Sequence, residues 1–150
     1  MSLDYQTANN TITQQIQTFV ADWYRALDRH RPWEEIEAYL DDEVRFVFPE
    51  TTVDSRQGLH DWYDVVTHKF FDEAHRVDLA DVELVGDVAR VHVLVNWRTR
   101  IWNAPDPDSA ILEYEADQDW IVGIGADGRL GLRDYVVNGL EPRGDTPPLT

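Results

Sequence analysis

Residues 88–102, VARVHVLVNWRTRIW, and 110–124, AILEYEADQDWIVGI, alternate apolar and polar side chains along their whole length. Period-two alternation marks a half-buried β-strand, and both runs exceed the usual five or six residues. Ala89, Val91, Val93, Val95, Trp97, Thr99 and Ile101 share one face of the first run. Leu112, Tyr114, Ala116, Gln118, Trp120, Val122 and Ile124 share one face of the second. The proline-broken loop NAPDPDS (103–109) joins them, which predicts a long antiparallel hairpin. One register sets Arg100 against Glu113, Arg98 against Glu115, Trp97 against Ala116 and Val93 against Trp120. It matches charge with charge and aromatic rings with small or branched side chains. It also accounts for the acidic row Glu113, Glu115, Asp117 and Asp119 without calcium, because an extended strand spaces carboxylates too widely to wrap one ion.

The N-terminal half reads as helical. Thr11 followed by Gln14 fits a capping box, so a helix is expected from Thr11. Ile12, Ile16, Phe19, Val20, Trp23 and Leu27 then form its apolar stripe. RHRPW breaks it, and Pro32 suits the first turn of a short second helix over 32–40. EVRFVFPE is a strand that Pro49 ends. A third helix over 57–71 buries Leu59, Trp62, Val66 and Phe70. Further strands are expected at 76–85, with VGD as the turn after it, and at 129–140, after the Asp-Gly turn of ADGR. Helices first, strands later, is an α+β order. It predicts a curved antiparallel sheet half covered by about three helices, with a deep central pocket at its open end. One domain spans 1–150, with its core at 11–141 and tails at 1–9 and 142–150.

Net charge is −16, from 13 basic and 29 acidic residues, so neither nucleic acid nor an anionic membrane is an expected partner. The chain contains no cysteine, which removes disulfides, thiolate nucleophiles and cysteine zinc sites from consideration. The opening MSLDYQTANN lacks the regions of a signal peptide, and no apolar run is long enough to span a membrane, so a cytoplasmic location is expected.

The final strand holds the best catalytic candidate. In GLRDYVVNG, alternation puts Asp134 in a row with Leu130, Leu132, Val136, Asn138 and Leu140, while Arg133, Tyr135 and Val137 take the other face. A carboxylate in an apolar cavity has a raised pKa and can act as acid or base. The bland alternative is an outward Asp134 after a bulge, or one paired with Arg25 or Arg98. His75 is a candidate proton shuttle at the pocket mouth, and Tyr24 a hydroxyl donor to a ligand oxygen. Trp23, Phe46, Phe48, Trp62, Phe70, Trp97, Tyr114 and Trp120 supply aromatic walls for a flat hydrophobic ligand, with Asn138 as a polar contact. Plain core is the competing reading for about half of these aromatic residues. His60, Asp64 and His68 recur at four-residue spacing but oppose the apolar face of their helix, so a solvated face is expected there and no metal. Leu94, Trp102 and His92 on the outer sheet face make a candidate homodimer surface.

Three stretches then carry a family resemblance: FVADWYRALDRHRPWEEIEAYLDDEVRFVFPE, VELVGDVARVHV and GADGRLGLRDYVVNGLEP, with Gly58 opening the third helix. Together they resemble the nuclear transport factor 2-like superfamily and its SnoaL-like small-molecule branch. That branch includes isomerases, dehydratases, epoxide hydrolases, cyclases, dioxygenase small subunits and non-catalytic binders. The resemblance implies the cone-shaped fold and cofactor-free acid–base chemistry on a small, oxygenated, mostly apolar molecule. The alternative is a non-catalytic ligand-binding or dimerisation module of the same fold. Ketosteroid isomerase-like members use a tyrosine where this chain has Trp23, and an aspartate where it has Val47 and Phe48. Scytalone dehydratase-like members are matched at Tyr24 and His75, but Arg25 stands where the paired aspartate is expected. Limonene epoxide hydrolase-like members are matched at Arg98 and Asp134, with Arg100 in place of the intervening aspartate.

Overall fold

A computed structural model describes residues 3–147, and the side chains among them from residue 8 onward. The described residues form three helices and six strands in the order α1 (Leu3–Asp28), α2 (Trp33–Glu37), β1 (Leu40–Val47), β2 (Thr52–Val53), α3 (Arg56–Lys69), β3 (Phe71–Val85), β4 (Val88–Ile101), β5 (Ala110–Ile124) and β6 (Leu130–Pro142). The strands make one open sheet in the order β2-β1-β6-β5-β4-β3. All neighbours are antiparallel except β1 and β6, which run parallel. The architecture is α+β, a curved sheet wrapped around helices.

Helix α1 starts at Leu3, two turns before the expected Thr11 cap, since LDYQTANN contains no proline or glycine to stop it. Ile16, Val20, Trp23 and Leu27 recur along one face and are buried, joined by Tyr24. The helix ends in a Schellman closure: His30 N–H bonds the Leu27 carbonyl and Arg31 N–H the Ala26 carbonyl. His30 sits at the left-handed position of that motif, with φ 48°, where glycine or asparagine is usual. Pro32 directly precedes α2, which stops at Glu37 because β1 begins at Leu40. Ser55 caps α3 by accepting from Gly58 N–H at 3.0 Å. Leu59 and Tyr63 are the buried residues of α3; Trp62 and Val66 are half-buried, and buried Phe70 lies just past its end.

The β4–β5 hairpin keeps the expected faces but pairs two residues away from the expected register. Arg98 faces Glu113, Arg100 faces Ile111, Trp97 faces Tyr114 and Val91 faces Trp120. The predicted Arg98–Glu115 and Arg100–Glu113 pairs are therefore not formed. Asn96 Nδ2 takes both glutamates instead, at 2.8 Å from Glu113 and 2.7 Å from Glu115. Slipping a strand by two residues leaves every side chain on its own face, so alternation does not distinguish the two registers.

Strand β6 carries two register shifts against β5. Val122 faces Leu132 while Ile121 faces Asp134, so Arg133 is an extra residue; Gln118 faces Val137 while Asp117 faces Gly139, so Asn138 is another. Each bulge inverts the alternation beyond it. Leu132 and Tyr135 consequently both point inward and are buried. Asp134 lands on the outer face, opposite Arg45 of β1 and Ile121 of β5. This corrects the expectation that Asp134 shares the apolar row of Leu132.

Candidate active site

Between α1, α3 and the concave sheet face lies a cavity of about 340 Å³. The sheet contributes Val95, Trp97, Ala116, Gln118, Tyr135, Val137 and Leu140; α3 and its flanks contribute Trp62, Tyr63, Val66 and Phe70. Phe48 stacks on Trp62, with ring centroids 5.1 Å apart. Phe70 meets Trp97 edge-on at 4.9 Å. Against these apolar walls stand a few polar side chains, chiefly Glu73, His75, Gln118 and Tyr135, the usual composition of a small-molecule site.

His75 is fixed by Asp28 from the last turn of α1. One Asp28 oxygen lies 2.5 Å from His75 Nδ1, and the other accepts the His75 backbone N–H at 2.9 Å. The imidazole is sandwiched between Tyr24, stacked at 4.5 Å, and Trp97, near-parallel at 5.8 Å. A carboxylate on Nδ1 sets the tautomer and leaves Nε2, which has no protein partner among the described residues, on a ring that lines the cavity. That geometry suits proton transfer to and from a bound molecule.

A second imidazole–carboxylate pair lies beside the first. Glu73 Oε2 is 2.5 Å from His30 Nε2, and Glu73 Oε1 accepts Trp97 Nε1–H at 3.1 Å. Glu73 lines the cavity with a side chain only 9% exposed, whereas His30 is 28% exposed. Glu73 and His75 are two residues apart on β3 and project to the same side, roughly 7 Å apart at their Cα atoms.

Deeper in, Gln118 organises a buried hydroxyl network. Its Oε1 accepts from Tyr24 OH at 2.5 Å and from Trp120 Nε1–H at 2.9 Å, and its Nε2 donates to Tyr135 OH at 3.1 Å. The Tyr24 and Tyr135 hydroxyls are themselves 3.1 Å apart. Burial pushes the pKa of both phenols up; for Tyr24 the neighbouring Tyr135 adds to the shift. Both therefore stay protonated near neutral pH. Tyr63, which donates to the Arg31 carbonyl at 2.6 Å, is raised to about 12 by burial and then by the charges of Glu73 and Glu35.

The residues singled out from sequence fall into three groups. His75, Phe48, Trp62, Phe70 and Trp97 line the cavity. Tyr24, Trp23, Phe46, Tyr114 and Trp120 are buried core behind it, with Tyr24 linked to the wall through Gln118. Asp134 and Asn138 are outside: Asp134 has no hydrogen bond or ion pair among the described residues, and Asn138 binds Asp117 and Asp119 on the outer face. On α3, His60 stacks on Trp33 at 4.7 Å and His68 bonds the Asp64 carbonyl oxygen at 2.6 Å. No cluster of three or more His, Asp or Glu side chains placed to hold a metal occurs among the described residues. Sequence reasoning missed Asp28, Glu73, His30, Gln118 and Tyr135. Asp28 carried a usable signal, lying four residues after Tyr24 and so on the same helical side. Glu73 carried one too, two residues before His75 on a strand.

Comparison with known proteins places this geometry in a family. Residues 11–123 match the model of the SnoaL-like domain. No curated protein matches the chain. Among solved structures, a candidate dehydratase of the NTF2-like family from Streptomyces avermitilis superposes with a TM-score of 0.74 at 16% identity, covering 94% of this chain and 99% of that one. A candidate scytalone dehydratase from Novosphingobium aromaticivorans gives 0.72 at 15% identity, over 97% and 98% of the two chains. A ketosteroid isomerase-like protein from Erwinia carotovora atroseptica gives 0.66 at 16% identity, over 86% and 94%. At such identities the likeness is one of fold. No helix among the described residues is long and apolar enough to cross a membrane.

Proposed function

Because the chain belongs to the SnoaL-like family, we propose that its cavity is the active site of an acid–base enzyme acting on a small, mostly apolar, oxygenated molecule. The observation that carries this reading is the Asp28–His75 pair at the wall of an aromatic cavity. Asp28 holds Nδ1, so Nε2 is the atom that removes or returns a proton at substrate carbon or oxygen. Trp97 and Tyr24 keep the ring from turning. Gln118 and Tyr135 offer polar atoms to a substrate oxygen, with Tyr24 supporting them from behind. Dehydration, isomerisation, hydrolysis and cyclisation all draw on this set, and protein side chains alone supply it. The dehydratase- and isomerase-like names of the structural neighbours agree with the reading.

The test is a proton-abstraction probe, nitrobenzisoxazole, which opens to a coloured cyanophenolate when a base removes its ring proton. The wild type is expected to accelerate the opening above buffer catalysis. His75→Ala should lose roughly 100- to 10,000-fold, the usual worth of a positioned base. Equal rates for wild type and His75→Ala would reject the reading in favour of a ligand-binding module. We further infer a cytoplasmic homodimer joined through the outer sheet face, where Trp102 (60% exposed) and Ile111 (50%) leave apolar surface open. Light scattering checks this: Trp102→Glu should convert a dimer into a monomer, and a monomeric wild type would refute it.

A further inference from the structure

His30, and the residue just before Glu73, hold left-handed backbone conformations. His30 occupies the left-handed cap position of α1, and Asp72, just before Glu73, is also left-handed at φ 50°. Left-handed backbone is disfavoured for residues that carry a Cβ, and such strain concentrates where it serves a site. Here it has a visible result. Asp72 sits in the register shift between Phe71 and Ala74, and Glu73 directly after it lines the cavity. His30 is set where its Nε2 meets Glu73 from the more exposed side. Trp97 Nε1–H holds the other Glu73 oxygen.

We propose that His30 and Glu73 form a proton relay that carries a proton from solvent to a substrate oxygen in the cavity, beside the base His75. The inference rests on the reading of His75 as the base, and adds a second, separate proton-transfer group. In the reaction, His75 Nε2 takes a proton from substrate carbon. The C–H electrons form the new π bond, the bond to the departing oxygen breaks, and its electrons stay on that oxygen. Glu73, protonated by His30, gives that oxygen its proton. The His30 imidazole is then reprotonated from solvent on its exposed side, and His75 releases its proton to solvent. Substrate and products balance with no further reactant. Asp28 does not share this role, because Glu73 lines the cavity and Asp28, turned to His75, does not.

A series of benzisoxazoles separates the relay from the base. Proton delivery matters most when the departing phenolate oxygen is a poor leaving group, and least when nitro groups stabilise it. Glu73→Gln keeps an oxygen for Trp97 but carries no transferable acid proton. It should cost roughly 100-fold in kcat/KM on the unsubstituted ring, with the loss shrinking steadily as nitro groups are added. His30→Asn, which tolerates the left-handed backbone, should steepen the same dependence and add little to Glu73→Gln. Thermal melts of both variants check that they fold. A uniform loss across the series, or an unchanged slope in folded His30→Asn, overturns the relay while leaving His75 as base. A wild type that opens none of the probes overturns both readings.

Discussion

Replacing Gln118 by leucine tests whether the buried network holds the site together. Leucine nearly conserves volume, so the effect reports lost hydrogen bonds. Three bonds go at once: Tyr24 OH and Trp120 Nε1–H lose their acceptor, and Tyr135 OH loses a donor. The two phenols retain each other at 3.1 Å, but Trp120 Nε1 has no other partner and is almost fully buried. An orphaned buried donor costs about 1–3 kcal/mol and each lost neutral bond about 1 kcal/mol, which gives about 3–5 kcal/mol for Gln118→Leu. That is a large share of a typical domain's 5–15 kcal/mol, roughly. Tyr24→Phe should cost about 2 kcal/mol, for its bonds to Gln118 and Tyr135, with no donor orphaned at Trp120 because Gln118 still accepts from it. Urea unfolding followed by tryptophan fluorescence measures both, with the midpoint moving and the slope constant. A Gln118→Leu cost below about 1 kcal/mol, or equal costs for the two variants, would show that these bonds do not organise the core.

Asp28→Asn leaves an acceptor for the His75 backbone but frees the imidazole to take the wrong tautomer. Turnover of the benzisoxazole probe should fall by roughly tenfold or more, and an unaffected rate would remove Asp28 from the mechanism. Gly131→Ala would put a Cβ 3.0 Å from both Cα and Cβ of Asp41, an overpacking worth about 1–3 kcal/mol. Gly86→Ala meets open space and bears only the left-handed backbone cost of about 1–2 kcal/mol, so thermal melts should rank Gly131→Ala the worse. The tyrosines predict the alkaline limit. Raised phenol pKa values mean that the unfolded chain binds fewer protons than the folded one above pH 10, tyrosine's ordinary value. This contribution to stability is thus complete below that pH and is lost as pH rises, toward about 12 for Tyr63, with the raised Tyr24 and Tyr135 acting in the same direction. Tyrosinate absorbance should rise together with unfolding; buried phenols that ionise at pH 10 in folded protein would contradict the burial argument.

Strand identity was readable from alternation, since a half-buried strand must repeat every two residues. What alternation hides is anything that preserves or silently breaks that period. The two-residue offset of the hairpin preserves it, so Arg98 and Arg100 were assigned glutamate partners that Asn96 holds instead. The bulge at Arg133 breaks it, and one extra residue moved Asp134 outside and Tyr135 inside. His75 was readable as a histidine at the pocket mouth, just ahead of the strand expected at 76–85. Its partner was not, because Asp28 meets it across 47 positions of chain, and only the folded crossing of α1 over β3 joins them. Glu73 was legible only by its two-residue spacing from His75, which counts once the strand is known to start at Phe71 rather than at residue 76.

The two halves of the site follow one pattern. The end of α1 reads Asp28-Arg29-His30, and the start of β3 reads Glu73-Ala74-His75. Each element brings one carboxylate and one imidazole, and the pairs form crosswise, Asp28 with His75 and His30 with Glu73. Stability alone is a weak reason for such pairs. Removing one member of a buried pair is costly, yet replacing both with apolar groups of similar shape is often neutral or stabilising. The surrounding wall is already aromatic, so apolar replacements would pack there without strain on the composition of the cavity. The backbone, moreover, bears two left-handed residues in placing His30 and Glu73. Structure built at that cost, around groups that exchange protons, beside a cavity of small-molecule size, is better accounted for by proton transfer than by holding α1 against β3.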